Sequence, residues 1–188
     1  MRTKDIAQIA LFAAIMVVLG LFPLIEVPFV PAPITSQTLG VALAGSVIGA
    51  RRGGLAVLLF VVLVVVGLPV LPGGRGGLGT ILGPTGGFIL AYPLGAWLAG
   101  LLTERMWHHY TLWRAILANF AGAALLLYVV GIPWMAVVSG MPLGKATVAS
   151  AVFLPGDLLK VVLASVAAVA VRRAYPLIEP RRTAGAGA

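Results

Sequence analysis

The chain has 188 residues, of which 61% are hydrophobic and 10% charged, and its formal net charge is +8. Soluble domains carry roughly one charged residue in four, so this composition excludes an ordinary soluble domain and indicates a protein embedded in lipid. The basic residues sit at the ends of apolar runs rather than on one surface, which excludes a nucleic-acid-binding patch, and the absence of cysteine excludes disulfides and thiolate metal sites.

A helix that crosses a membrane needs ~20 apolar residues, and six apolar runs approach this length. The first run follows Arg2 and Lys4 like the core of a signal peptide, but the runs behind it favour an uncleaved first span. We predict an all-α integral membrane protein with one six-helix domain over residues 1–180 and a disordered cytoplasmic tail over 181–188. The predicted spans are 5–22, 36–50, 53–69, 84–103, 112–132 and 146–171.

The second and third spans predict a tight helical hairpin that turns at residues 51–54. Ten Lys and Arg side chains then fall on one side of the six spans, and Arg75 and Lys145 fall on the other. Because basic residues are enriched in cytoplasmic loops, we predict a multi-pass protein of the cytoplasmic membrane with both termini inside. The ten are Arg2, Lys4, Arg51, Arg52, Arg105, Arg114, Arg172, Arg173, Arg181 and Arg182.

Two connections on the predicted outer side are rich in proline and glycine. Residues 23–37 hold four prolines, and residues 71–87 hold eight glycines. They are either flexible connectors or structured loops that dip back over a site. We favour structured loops, because irregular backbone at membrane depth is tolerated where it is buried in protein or lines a cavity.

Four side chains near the outer ends of the second and fourth spans are candidates for a pocket. Two of them are polar residues that open a helix. The other two are aromatic residues one turn apart, and they either line the pocket or belong to ordinary helix packing. The four are Gln37, Thr85, Phe88 and Tyr92, and Asn119 and Tyr128 of the fifth span are weaker candidates.

The last span carries Asp157 and Lys160, three residues apart and therefore on one helix face. Counted from Arg172 at the cytoplasmic end, Asp157 stands about 22 Å and Lys160 about 18 Å along the helix, beneath the outer loops. Intramembrane charges are costly and nearly always face the bundle interior or a cavity. This pair is either a self-neutralising structural ion pair or, as we favour, a site for a ligand with N–H donors and an oxygen acceptor.

Sequence motifs for nucleotide binding or catalysis do not occur. The chain has no G-x-x-x-x-G-K-[ST], H-E-x-x-H or G-x-S-x-G motif, and its adjacent His108 and His109 suit a membrane interface better than a metal site. We therefore predict no enzyme, no cofactor and no bound metal. On the first span, Ala10 and Ala14 are small residues four apart that allow close helix approach, either within the bundle or against a partner.

Together these residues resemble the BioY family, the biotin-binding S components of energy-coupling factor transporters. The resemblance rests on the stretches PAPITSQTLGVALAGSVIGARRG, GLPVLPGGRGGLGTILGPTGGF and FLPGDLLK, which occur in the family's order and nearly its spacing. It implies a six-helix S-component fold and high-affinity capture of biotin on the outer side. It also implies that Asp157 accepts hydrogen bonds from the ureido N–H groups of biotin and that Lys160 donates to one of its oxygens.

The resemblance further implies partners. Ala10 and Ala14 match the pattern by which S components dock on a membrane-embedded coupling subunit, and two ATPase subunits supply the energy. Some members of the family have an asparagine near the glycine-rich loop, but residues 71–87 contain none. Arg75 is then the candidate for binding the carboxylate of biotin. The alternatives are an S component for another vitamin and, more remotely, an intramembrane enzyme or a structural subunit.

Overall fold

The computed structural model describes residues 2–26, 28 and 30–178, and the regular structure in this part of the chain is helical. The predicted tail at 181–188 lies outside the described residues, and the single-domain boundary at residue 180 stays a prediction. The helices are α1 (Thr3–Gly20), α2 (Gln37–Ile48), α3 (Ala50–Val65), α4 (Leu78–Leu82), α5 (Gly86–Arg105), α6 (Leu112–Phe120), α7 (Leu127–Val138), α8 (Leu143–Ser150) and α9 (Leu154–Ala174).

Short turns of other helix types join some of these helices. A π-helical turn, Ala121–Leu126, links α6 to α7, and a 3-10 turn, Ala151–Phe153, links α8 to α9. Four helices in the described part are long and apolar enough to cross a membrane: α1, α5, α6 continued into α7, and α8 continued into α9. The predicted second and third spans form helices too, but α2 has 12 residues and α3 has 16. At 1.5 Å per residue these reach about 18 and 24 Å, less than the ~30 Å of hydrocarbon.

The hairpin between α2 and α3 turns at a single residue, Gly49, rather than at residues 51–54 as predicted. Gly49 has φ +85°, a backbone conformation that favours glycine. Arg51 and Arg52 therefore lie in the first turn of α3. The carboxylate of Glu104 accepts a hydrogen bond of 2.8 Å from the N–H of Ala50, and so satisfies a free backbone donor at the start of this helix.

The core lies between α1, α2, α3 and α5, where Met16, Val41 and Phe60 are fully buried. Small residues let the helices approach closely there. A Cβ on Gly53 would stand 2.6 Å from the carbonyl oxygen of Ala44. On the outside of the bundle, large apolar side chains are exposed on every long helix, as with Val137 and Leu159. Exposed apolar surface of this extent suits lipid rather than water.

The connections between α1 and α2 and between α3 and α5 lie at the same end of the bundle, which we call the loop end (residues 21–36 and 66–85). Both are held by hydrogen bonds. Ile25 and Ile34 form an antiparallel bridge in the first connection, and Leu71 and Arg75 form one in the second. The indole N–H of Trp134 donates to the carbonyl of Gly83 at 3.0 Å. These contacts agree with the structured loops favoured from the sequence.

Candidate functional site

Asp157 and Lys160 lie in the first two turns of α9, at the loop end. Asp157 is in the first turn, where the helix dipole favours a negative charge. The residue is buried, with 6% of its surface exposed. The Nζ of Lys160 donates to Oδ1 of Asp157 at 2.9 Å, as the three-residue spacing predicts.

Two hydroxyl groups from other helices also donate to the Asp157 carboxylate. Thr38 of α2 donates to Oδ1 at 3.0 Å, and Tyr128 of α7 donates to Oδ2 at 2.6 Å. Lys160 makes a second bond, of 2.6 Å, to the backbone carbonyl of Thr35. The charged pair therefore joins α2, α7 and the first connection of the loop end to α9.

The pair is not sealed into the protein, because it lines a cavity at the loop end. The space inside the cavity and its open mouth amounts to about 640 Å³. The structure brings all seven side chains predicted for substrate binding to its walls, although their roles in binding stay predictions. They are Gln37, Arg75, Thr85, Phe88, Tyr92, Asp157 and Lys160.

The cavity combines apolar walls with a few polar groups. Phe88, Ile89 and Leu127 contribute apolar surface, and the ring of Phe88 meets that of Tyr128 edge-on at 6.3 Å between centroids. The Nε2 atom of Gln37 is buried and has no hydrogen-bond partner among the described residues. Arg75 is partly exposed, and its Nε donates to the carbonyl of Pro72 at 3.0 Å. The arrangement suits a partly apolar ligand with hydrogen-bonding groups at its ends.

The comparisons with known proteins agree with this fold. The model of the BioY family matches residues 1–177. The chain belongs to the BioY family. It is 46% identical over 186 residues to the biotin transporter BioY of Rhizobium etli, an alignment that covers 96% of this chain and all of that protein. It is 39% identical to the probable biotin transporter BioY of Bacillus subtilis, over 98% of this chain and 99% of that one.

A solved structure matches the fold of this BioY family member. The crystal structure of the S-component for biotin from an ECF-type ABC transporter superimposes with a TM-score of 0.88 at 30% identity, covering 92% of this chain and 95% of that one. The family and the S-component fold predicted from the sequence are thus confirmed, with four rather than six helices of full membrane length in the described part.

Two residues that bond to Asp157 in this BioY family member were not among the seven side chains predicted for substrate binding. Tyr128 stood among the weaker candidates, and Thr38 was not singled out, yet both donate directly to Asp157. The other weak candidate, Asn119, is not in the cavity wall; its Nδ2 donates to Ser165 in the bundle core at 3.0 Å. The histidines 108 and 109 are exposed at the far end of the bundle. Among the described residues no group of three or more His, Asp or Glu side chains is placed to hold a metal ion.

Proposed function

We propose that this chain is an S component that captures biotin at the loop-end cavity and brings it across the cytoplasmic membrane. The observation that carries the proposal is the pair of a buried Asp157 and a partly buried Lys160, which faces an open cavity rather than lipid. The names of the relatives support it, since they are transporters and one solved relative is an S-component for biotin. The function is accordingly transport and not catalysis.

The chemistry of biotin fits the walls of the cavity. The ureido ring offers N–H donors to Asp157 and a carbonyl oxygen to Lys160, and the thiolane ring suits the apolar surface of Phe88. The carboxylate of the tail suits Arg75. Gln37 offers an unmatched N–H donor, and burying such a donor without a ligand is costly.

In the proposed orientation the loop end lies outside the cell. The chain then crosses the membrane six times. Eight of the ten basic residues counted for the inner side lie in the described part, at or next to the helix ends opposite the loop end. The shorter α2 and α3 then cross with the help of the connections at the loop end, which cover the rest of the outer half of the membrane.

The proposed partners are a membrane-embedded coupling subunit and two ATPase subunits. Ala10 and Ala14 support this, because both are exposed on the same face of α1 and allow another helix to approach closely. The double change Ala10→Leu with Ala14→Leu is expected to abolish copurification with the coupling subunit while biotin binding stays unchanged. The matched control is Ala170→Leu, an exposed alanine on α9. Copurification of the double variant at the wild-type level would contradict the docking role.

The binding proposal is tested by equilibrium titration of labelled biotin against the purified protein. We expect saturable binding with a sub-micromolar Kd. Desthiobiotin, which keeps the ureido group, is expected to retain part of the affinity, and a ring-opened diamine to lose most of it, because the polar partners are then left unpaired. Absence of saturable sub-micromolar binding would reject biotin as the substrate. A panel of other vitamins in the same assay identifies a different ligand.

A further inference from the structure

The carboxylate of Asp157 has one hydrogen-bonding position left for a ligand. A carboxylate offers about four lone-pair positions, two on each oxygen. Thr38 and Lys160 both donate to Oδ1, and Tyr128 donates to Oδ2. Three positions are therefore filled by the protein, and the remaining one is on Oδ2, the oxygen that Tyr128 holds.

Lys160 likewise has one N–H donor without a protein acceptor. An ammonium group has three N–H donors, and two of them reach Oδ1 of Asp157 and the carbonyl of Thr35. One N–H donor of Lys160 is therefore left for a ligand. The two vacancies together suit a ligand edge that has one N–H next to one carbonyl, as in a cyclic urea or a lactam.

The π-helical turn before α7 directs Tyr128 at Asp157. A π turn adds one residue to an α-helix, which rotates the residues after it by about 100°. This turn spans Ala121–Leu126 and ends two residues before Tyr128. It is packed tightly on α5, since a Cβ on Gly122 would stand 2.5 Å from the carbonyl oxygen of Gly95. The direction of the Tyr128 hydroxyl is thus set by backbone packing.

We propose that Tyr128 is a positioning residue of the substrate site, which acts through Asp157. Its hydroxyl holds Oδ2 and leaves Asp157 a single acceptor position for one ligand N–H, while Lys160 takes the carbonyl beside that N–H. This inference rests on the proposed function and goes beyond it, because it makes a hydroxyl outside α9 part of ureido recognition.

The test is a double-mutant cycle on Kd with Tyr128→Phe, Asp157→Asn and the combined variant. Tyr128→Phe is expected to weaken biotin binding about tenfold, because the lost bond is to a charged group. In the Asp157→Asn background the same change is expected to have no further effect. Equal losses in both backgrounds would overturn the inference. Where Asp157→Asn binds too weakly to titrate, the rise in Tm with millimolar biotin supplies its Kd.

A second measurement separates positioning from packing. Tyr128→Phe is expected to weaken desthiobiotin and biotin by the same factor, because both carry the ureido group. A loss confined to biotin would mean that Tyr128 packs on the thiolane ring, and would overturn the inference. Tyr175→Phe, which removes a hydroxyl from an exposed tyrosine after α9, is the control for unchanged binding. Failure of the wild-type protein to bind biotin would reject the proposed function, whereas additive losses reject this inference alone.

Discussion

The two ends of the bundle use charged residues in different ways. At the end opposite the loop end, which we call the arginine end (Arg52, Glu104 and Arg172), the chain satisfies its own charges. Arg52 donates to Gln8 at 2.6 Å and to the carbonyl of Leu177 at 2.9 Å. Arg172 donates to the carbonyl of Tyr110 at 2.7 Å, and its guanidinium lies 5.1 Å from the ring centre of Trp107.

At the loop end, the charged side chains of Asp157 and Lys160 face the cavity. Asp157 and Lys160 are bonded by three other parts of the chain, yet both still line the cavity and each keeps one bonding position. A charge in a membrane protein is therefore not by itself a sign of a binding site. The two ends differ in whether protein groups bond to the charged side chain on all sides or leave a hydrogen-bonding position open to the cavity. The arginine end ties helices together, and the loop end is available for a ligand.

The largest effect expected from this comparison is on ligand affinity at the loop end. Asp157→Asn is expected to weaken biotin binding at least tenfold, because truncating or neutralising one partner of a buried charge pair costs ~2–5 kcal/mol. The measurement is equilibrium binding of labelled biotin. The matched control is Glu104→Gln at the arginine end, where the same chemical change is expected to leave Kd unaltered. An unchanged Kd for Asp157→Asn would remove this residue from the site.

The next effect concerns packing near the arginine end, where neighbouring glycines offer a matched pair. A Cβ on Gly53 would press on the backbone carbonyl of Ala44, whereas one on Gly54 would come no nearer than 3.3 Å to the side chain of Trp97. Gly53→Ala is expected to lower the stability by ~1–3 kcal/mol, since overpacking forces backbone shifts, and Gly54→Ala to leave it nearly unchanged. Thermal unfolding in detergent with and without biotin measures both. Equal Tm values for the two variants would contradict close packing of α2 on α3.

The fold could be predicted from the sequence as far as apolar runs and basic ends determine it. Helices formed in every predicted span, because a run of apolar residues leaves the backbone no partner in lipid except itself. The turn at Gly49 could not be predicted, because the next residue, Ala50, bonds to Glu104, which is 54 positions further along the chain. The π turn at 121–126 was equally invisible, since it occurs where Gly122 packs closely on α5, a contact that no local pattern reveals.

The residues of the candidate site likewise differ in how far the sequence alone could reveal them. Asp157 and Lys160 were recognisable because a charge within an apolar run has a large energetic cost and needs a reason. Thr38 was not, because a threonine hydroxyl within a span can bond its own helix backbone and so carries no comparable signal. Tyr128 was recognisable only as a weaker candidate. Thr38 lies 119 positions from the carboxylate that it serves. Only the folded arrangement that places α2, α7 and α9 around one cavity brings these donors together.

The smallest expected effect concerns Arg75, the arginine of the loop end. Unlike the side chain of Arg52, which has partners on two other segments, the side chain of Arg75 bonds within the described residues only to Pro72 of its own loop, and it faces the cavity. Arg75→Gln is expected to weaken biotin binding about fivefold, since a partly exposed ion pair contributes ~1 kcal/mol or less. It is expected to leave the affinity for biotin amide unchanged, because the amide carries no carboxylate to pair with. Titrating both ligands against both proteins measures this, and the difference is expected to shrink at high salt. Equal losses for biotin and its amide would mean that Arg75 only supports the loop, and the loop end would then contain a structural arginine like those at the opposite end.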